Sequence, residues 1–153
     1  MAGKVKSIPD EYRGATPYLC VKDAGAAIEF YKKAFGAREV IRIPMGDKVG
    51  HAELRVGDAP FMLADEFPEM NFRSPQALGG TPVNILIYVD NVDALAKRAE
   101  TAGAKMLRQP ADQFYGDRMA TVEDPYGHSW SFATHIEDVS PEEMRKRAAA
   151  QHA

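Results

Sequence analysis

Apolar and polar residues follow the same order twice along this chain. In each half a short apolar run predicts a β-strand, apolar residues at helical spacing predict a helix, and three strand candidates follow. Asp23 is placed to cap the first helix, and Gly36 and Gly103 stand where helices often end in the left-handed conformation. The elements are predicted at 18–21, 23–36, 38–43, 50–56 and 59–65, and again at 83–90, 91–103, 105–109, 117–123 and 128–135.

The spacing of equivalent positions indicates an internal repeat. Val89 follows Val21 by 68 positions (89 − 21), and Gly103 follows Gly36 by 67 (103 − 36). A repeat of this kind constrains the architecture more than any single motif does. Each half is too small to cover its own sheet, so the two halves must pair. We therefore predict an α+β fold of two tandem βαβββ modules.

Two segments lie outside the repeat. Residues 66–82 are rich in Pro and Gly yet carry three large apolar side chains, so they form either a linker between the modules or a rim over a cavity. Near the end of the chain, Ser140 is placed as a helix cap, Pro141 as the first helical residue, and Glu143 completes a capping box. A C-terminal helix is predicted at about 140–150.

Composition narrows the class of protein. The 153 residues carry a formal net charge of −3, and the 19 Lys and Arg residues are scattered, so we expect no nucleic-acid partner. No apolar run approaches the roughly 20 residues of a membrane helix, and residues 1–14 lack the apolar core of a signal peptide. Cys20 is the single cysteine, which excludes an intrachain disulfide and fits a reducing compartment. We expect a cytoplasmic protein.

The stretches "VKDAGAAIEFYKKAFGA" (21–37) and "EDPYGHSWSF" (123–132) resemble the vicinal oxygen chelate superfamily of glyoxalases, bleomycin resistance proteins and dioxygenases. The first stretch is similar to the first helix of that family, and the second to its last hairpin, where an Asp-Pro-x-Gly turn feeds the final strand. The sequences "TPYL" and "YGDRMATVEDPYGHSW" are most similar to those of the PhnB-like branch. The resemblance spans about residues 14–136. It implies one domain over residues 1–153, with modules at about 14–65 and 83–136 forming a cup-shaped mixed sheet, and it implies a homodimer.

The resemblance also implies where a divalent metal would bind. Members of the superfamily hold the ion with four strand residues, typically His, Gln and Glu. Carried onto this chain, those positions are Thr16, Met62, Asn84 and Ser131. A hydroxyl, a thioether and an amide are poor ligands for a catalytic divalent ion. We therefore expect no metal and no other cofactor.

Strand alternation within the implied cup predicts a different set of residues for ligand binding. Tyrosines and a few placed polar groups suit a small aromatic or amphipathic molecule. His51 is the best candidate for proton transfer, with Glu53 as its neighbour. Alternatively, Arg55 forms a semi-buried ion cluster with Glu53 and Glu123. The predicted ligand-binding residues are Tyr18, His51, Glu53, Arg55, Asn84, Tyr88, Glu123 and Ser131.

Three functions are compatible with these residues. The first is a metal-free protein that binds a small molecule in the cup. The second is a lyase or isomerase that uses His51 and Glu53 directly, or binds metal through a set such as His51 and His135. The third is a structural subunit. We expect His128 to be a hydrogen-bonded turn residue and Cys20 to be a packed side chain.

Overall fold

The computed structural model describes residues 3–152, and each half of the chain forms its own four-stranded mixed sheet. The strands and helices in chain order are β1 (Tyr18–Val21), α1 (Ala24–Phe35), β2 (Arg38–Met45), β3 (Lys48–Val56), β4 (Ala59–Asp65), α2 (Pro75–Leu78), β5 (Asn84–Tyr88), α3 (Val92–Ala102), β6 (Lys105–Asp112), β7 (Asp117–Glu123), β8 (Ser129–His135) and α4 (Pro141–Gln151). Single 3-10 turns cover Asp10–Tyr12 and Pro68–Met70.

The two sheets share one topology. Their strand orders are β1-β4-β3-β2 and β5-β8-β7-β6, and in each the first strand runs parallel to the last while the remaining pairs are antiparallel. This confirms the predicted α+β class and the two tandem βαβββ modules. Within residues 3–152 no strand pair joins β1 to β5, so the mixed sheet is built as two halves.

The helix ends form as their sequence predicts. Asp23 accepts a hydrogen bond from the backbone N–H of Ala26 at 3.1 Å, and Gly36 closes α1 at a φ of 67°, in the left-handed region that favours glycine. The guanidinium of Arg98 would lie only 3.1 Å from a side chain added at Gly36. Arg98, on α3, donates to the carbonyl of Lys33 at the end of α1. Position 36 therefore favours glycine because of its φ, and an added side chain would also require the Arg98 guanidinium to shift slightly.

The core joins the two modules through aromatic side chains. Tyr31 and Phe35 of α1 extend to the second sheet, where Trp130 and Phe132 of β8 are completely buried. The ring centroids of Tyr31 and Trp130 are 5.4 Å apart, and those of Phe35 and Phe132 are 4.9 Å apart. Fully burying one apolar side chain of this size contributes about 1.5–3 kcal/mol to the stability of the fold. Both β8 residues face away from the side predicted to bind ligand.

A buried carboxylate lies beside this aromatic cluster. Asp124, 3% exposed, accepts hydrogen bonds from the Tyr31 hydroxyl at 2.5 Å and from the indole N–H of Trp130 at 2.9 Å. Its other oxygen accepts the backbone N–H groups of Tyr126 and His128. Burial and then the charge of Asp124 raise the pKa of the Tyr31 phenol, so Tyr31 acts only as a donor. One side chain thus fixes the hairpin turn and attaches it to α1 of the other module.

The segment 66–82 contacts both modules. Gln76 donates to the carbonyl of Pro125, and the ring of Phe72 packs edge-on against Tyr18 at 5.9 Å. At the other end of the chain, Arg147 of α4 donates to the carboxylate of Glu137. Within the part of the chain that the structure covers, no helix is long and apolar enough to cross a membrane.

Replacing Asp124 with alanine should destabilise the protein strongly. The substitution leaves the buried donors of Tyr31 and Trp130 and two backbone N–H groups without a partner, and each buried, unsatisfied group costs about 1–3 kcal/mol. We expect the free energy of unfolding to fall by about 3 kcal/mol or more in urea denaturation.

The matched control is Asp47→Ala in the exposed turn between β2 and β3. It should change the free energy of unfolding by less than about 0.5 kcal/mol. Equal effects of the two substitutions would show that Asp124 does not hold the modules together.

Candidate functional site

A chain of four hydrogen-bonded side chains crosses the polar face of the first sheet. The hydroxyl of Tyr18 lies 2.6 Å from Nδ1 of His51, and Nε2 of His51 lies 3.2 Å from Oε1 of Glu53. The Tyr12 hydroxyl donates to the other Glu53 oxygen at 2.8 Å. Alternation along β3 produces this face, because Ala52 and Leu54 point into the core. Three of the predicted ligand-binding residues are therefore in contact.

The pKa shifts of this chain follow from burial and charge. Burial opposes ionisation of Glu53, but hydrogen bonds from Tyr12 and His51 hold its pKa below the ordinary value. Burial and then the Glu53 charge raise the pKa of the Tyr18 phenol. A carboxylate, an imidazole and a protonated phenol in sequence can pass a proton along their hydrogen bonds.

Arg55 does not form the ion cluster that we considered from the sequence. Within residues 3–152 it pairs with neither Glu53 nor Glu123; instead it donates to the carbonyls of Glu11 and Asp58, both at 3.3 Å. Its guanidinium also lies 5.6 Å from the centroid of the Tyr12 ring. The side chain is directed toward the N-terminal segment, because the carbonyl oxygen of Glu11 and the ring of Tyr12 are within its reach there.

A cavity of about 530 Å³ separates the edge strands β1 and β5. Thr16 and Tyr18 line it from the first module, and Asn84, Leu86 and His128 from the second. The cavity exists because the two sheets approach at these edges without pairing. Two of the predicted ligand-binding residues, Tyr18 and Asn84, lie together in this cavity.

A second polar cluster is centred on a buried carboxylate of β7. Asp117, 4% exposed, accepts from the Tyr88 hydroxyl at 2.6 Å, and its other oxygen lies 2.8 Å from Nδ1 of His135. Nε2 of His135 is 2.7 Å from the carboxylate of Asp138. Tyr88 and His135 line a separate cavity of about 870 Å³, which also includes Phe35 and Leu95. The hydrogen bonds to Asp117 and then Asp138 raise the pKa of His135.

The remaining predicted residues lie apart from both clusters. Ser131 is buried and its hydroxyl lies 2.8 Å from that of Thr121. Glu123 lines a third cavity, of about 460 Å³, beside the segment 66–82. The amide of Asn84 donates to the Ser129 hydroxyl at 2.7 Å.

The residues at the implied metal positions do not fit a divalent ion. Thr16 and Asn84 offer a hydroxyl and an amide at the cavity, Met62 offers a thioether, and the Ser131 hydroxyl is already bonded. Across residues 3–152 no three His, Cys, Asp or Glu side chains are grouped so that they could hold a metal ion. The His51–His135 set is not assembled either, because each histidine belongs to a different cluster.

Two predictions about single residues agree with the structure. Nε2 of His128 lies 2.9 Å from the carbonyl of Cys20, so this turn histidine links the hairpin to β1. Cys20 is 6% exposed, and burial, followed by the charges of Glu66 and Asp65, raises the pKa of its thiol to about 11. A thiol this weakly acidic is a poor nucleophile at neutral pH.

Sequence reasoning missed three polar residues of these sites. Tyr12 lies in an exposed segment with no periodic pattern, so nothing in the sequence directed attention to it. The sequence predicts only a turn residue at Asp124 and the first residue of a strand at Asp117, although the two lie at opposite ends of β7, where Ala120 and Val122 are buried. An acidic residue at the end of a buried strand was the available signal.

His135 should stabilise the protein more at low pH than at high pH. Its pKa is raised above the ordinary value of about 6.5, so the stabilisation from its carboxylate partners is complete below that pH and is lost as the pH rises through the folded-state pKa. Thermal denaturation of wild type and His135→Gln should therefore differ at about pH 6 and converge at about pH 9. A difference that grows with pH would contradict the pairing.

Comparison with known proteins places this geometry in a family. The family model described as Glyoxalase/Bleomycin resistance protein/Dioxygenase superfamily matches residues 14–132. Over 140 residues the chain is 42% identical to the uncharacterized protein Mb0911c of Mycobacterium bovis, covering 89% of this chain and 92% of that protein.

Solved structures have the same fold. TioX from Micromonospora sp. ML1 is 25% identical with a TM-score of 0.65, covering 84% of this chain and all (100%) of that one. A gene product of Arabidopsis thaliana is 27% identical with a TM-score of 0.62, covering 80% and 98% of the two chains. The PhnB-like branch stays a prediction. The chain belongs to the glyoxalase/bleomycin resistance protein/dioxygenase superfamily.

Proposed function

We propose that this protein binds a small aromatic or amphipathic molecule, without a metal, in the cavity between β1 and β5. The observation that carries the proposal is the lining of that cavity, which combines the Tyr18 ring and the Leu86 side chain with the polar groups of Thr16 and Asn84. Small-molecule sites are typically clefts of about 300–1,000 Å³ with apolar walls and a few polar groups, and this cavity of about 530 Å³ falls in that range.

The metal-free part of the proposal rests on donor chemistry. The four positions that bind the metal ion in members of the superfamily carry no imidazole, thiolate or carboxylate in this chain. The ligand must therefore be held by hydrogen bonds and apolar contact.

A second candidate function is an enzyme of the lyase or isomerase type. The observation that favours it is the hydrogen-bonded sequence Tyr18–His51–Glu53, in which Glu53 orients the imidazole and the imidazole accepts from the phenol. In that role the Tyr18 hydroxyl would contact the substrate in the cavity, and His51 would accept or return the proton of that hydroxyl. Glu53 would be a positioning residue.

We also propose that the protein forms a homodimer through the sheet faces that point away from the aromatic core. Strand register places Tyr18, Ile41 and Ile43 on one face of the first sheet, and between 43% and 48% of each is exposed. Leu86 and Tyr88, on β5, are 48% and 59% exposed. Apolar side chains exposed together in this way mark protein interfaces.

Ligand binding should raise the melting temperature. A ligand present at about 100 times its Kd adds about 2.7 kcal/mol to the folded state, which for a chain of this size is a rise of about 5–10 °C. We expect aromatic compounds from a thermal-shift screen to give such rises with wild type and smaller ones with Leu86→Ala. Leu107→Ala, a similarly exposed leucine (44%) outside this cavity, is the matched control.

The same samples separate the two functions. A binding protein leaves its ligand chemically unchanged, whereas an enzyme converts it at a rate that Tyr18→Phe and His51→Gln lower; proton NMR of the incubated ligand distinguishes the two. Stoichiometric Zn, Ni, Mn or Fe in elemental analysis of the purified protein would falsify the metal-free proposal.

Light scattering should give a mass of twice 16.8 kDa for wild type. Ile43→Asp, which places a charge on the proposed interface, should shift the mass toward that of the monomer. Met70→Asp changes an exposed apolar residue in the segment 66–82 and should leave the dimer intact. A monomeric wild type at all concentrations tested would rule the interface out.

A further inference from the structure

Tyr12 occupies the polar face of the first sheet in the way a bound phenol would. Its hydroxyl donates to Glu53 at 2.8 Å, and the guanidinium of Arg55 lies 5.6 Å from the centroid of its ring. The Arg55 guanidinium also donates to the carbonyl of Glu11 beside it. Two charged side chains of β3 therefore recognise the hydroxyl and the ring of the same residue.

The segment that carries Tyr12 contributes little to the core. The turn Asp10–Tyr12 has no buried residue, and residues 3–11 and 13–15 are exposed. Its ion pairs, Lys6 and Arg13 with Asp10, lie within the segment itself. Tyr12 can thus leave Glu53 and Arg55 without disturbing the buried cluster around Trp130.

The position of Tyr12 is continuous with the proposed ligand cavity. Glu53 contacts His51, His51 contacts Tyr18, and Tyr18 lines the cavity between β1 and β5. A ligand that extended from the cavity along this face would meet the same carboxylate and guanidinium that now hold Tyr12.

We propose that Tyr12 is a built-in occupant of a phenol site formed by Glu53 and Arg55, and that the ligand is a hydroxylated aromatic molecule that displaces it. This inference rests on the proposed binding function and names its ligand class. The carboxylate accepts a charge-assisted hydrogen bond from the hydroxyl, and the guanidinium interacts with the face of the ring. A ring without a hydroxyl donor leaves one oxygen of the half-buried carboxylate without a partner and is disfavoured.

The test compares two probes, 4-fluorophenol and 4-fluoroanisole, by fluorine NMR titration of the full chain. A tethered occupant competes at an effective concentration in the millimolar range, so Tyr12→Ala should tighten the apparent Kd for 4-fluorophenol about tenfold. The affinity for 4-fluoroanisole, which has no hydroxyl proton to donate, should not change. Adding Glu53→Ala to Tyr12→Ala should abolish the gain.

Matched controls keep the result specific. Arg13→Ala removes a neighbouring side chain of the same segment but retains Tyr12, so the affinity for 4-fluorophenol should equal that of wild type. Thermal denaturation of each variant confirms that it folds. Equal affinities of wild type and Tyr12→Ala for 4-fluorophenol, or equal gains for both probes, would overturn the inference.

The outcomes also separate this inference from the function on which it rests. Aromatic compounds whose affinity falls in Leu86→Ala but does not change in Tyr12→Ala would leave the binding function in place and refute the phenol site. Failure of every aromatic compound to bind either wild type or Tyr12→Ala would refute both.

Discussion

The buried carboxylate of Asp124 fixes the relative position of the two modules. It accepts hydrogen bonds from Tyr31 on α1 and from Trp130 on β8, which belong to different halves of the chain. Aromatic rings surround this carboxylate in the core, but apolar contact alone is non-directional. The hydrogen bonds select one arrangement of those rings, because any other would leave a charge buried without partners.

The chemistry of the opposite faces depends on this arrangement. Once the aromatic residues are committed to the core, alternation places the polar residues of each β-strand on the other side, and β1 and β5 meet there as edges. The cavity between these strands and the Tyr18–His51–Glu53 chain are therefore consequences of how the core packs. Two polar clusters result instead of one, since each sheet carries its own histidine and its own carboxylates.

The sequence predicts the fold well because the fold depends on periodic patterns and turn residues. Asp23, Gly36 and Ser140 act at helix ends by local chemistry, and that chemistry needs no tertiary information. The site is harder to predict, since its contacts link residues far apart in the chain. Tyr12 reaches Glu53 across 41 positions, and Arg55 turns toward this segment and away from the predicted ion cluster, so neither contact has a local signal.

The contact between α1 and α3 shows how far the two halves have diverged. By the 67-residue offset (103 − 36), Tyr31 corresponds to Arg98. Tyr31 donates to a side chain in the hairpin of the other module, whereas Arg98 donates to the carbonyls of Lys32 and Lys33 at the end of α1. If the repeat arose by duplication, these two equivalent positions have since acquired different partners. A chain made of two copies of its first half would contain the Tyr31 phenol twice but neither the Asp124 carboxylate nor the Arg98 guanidinium. Neither half can therefore now substitute for the other.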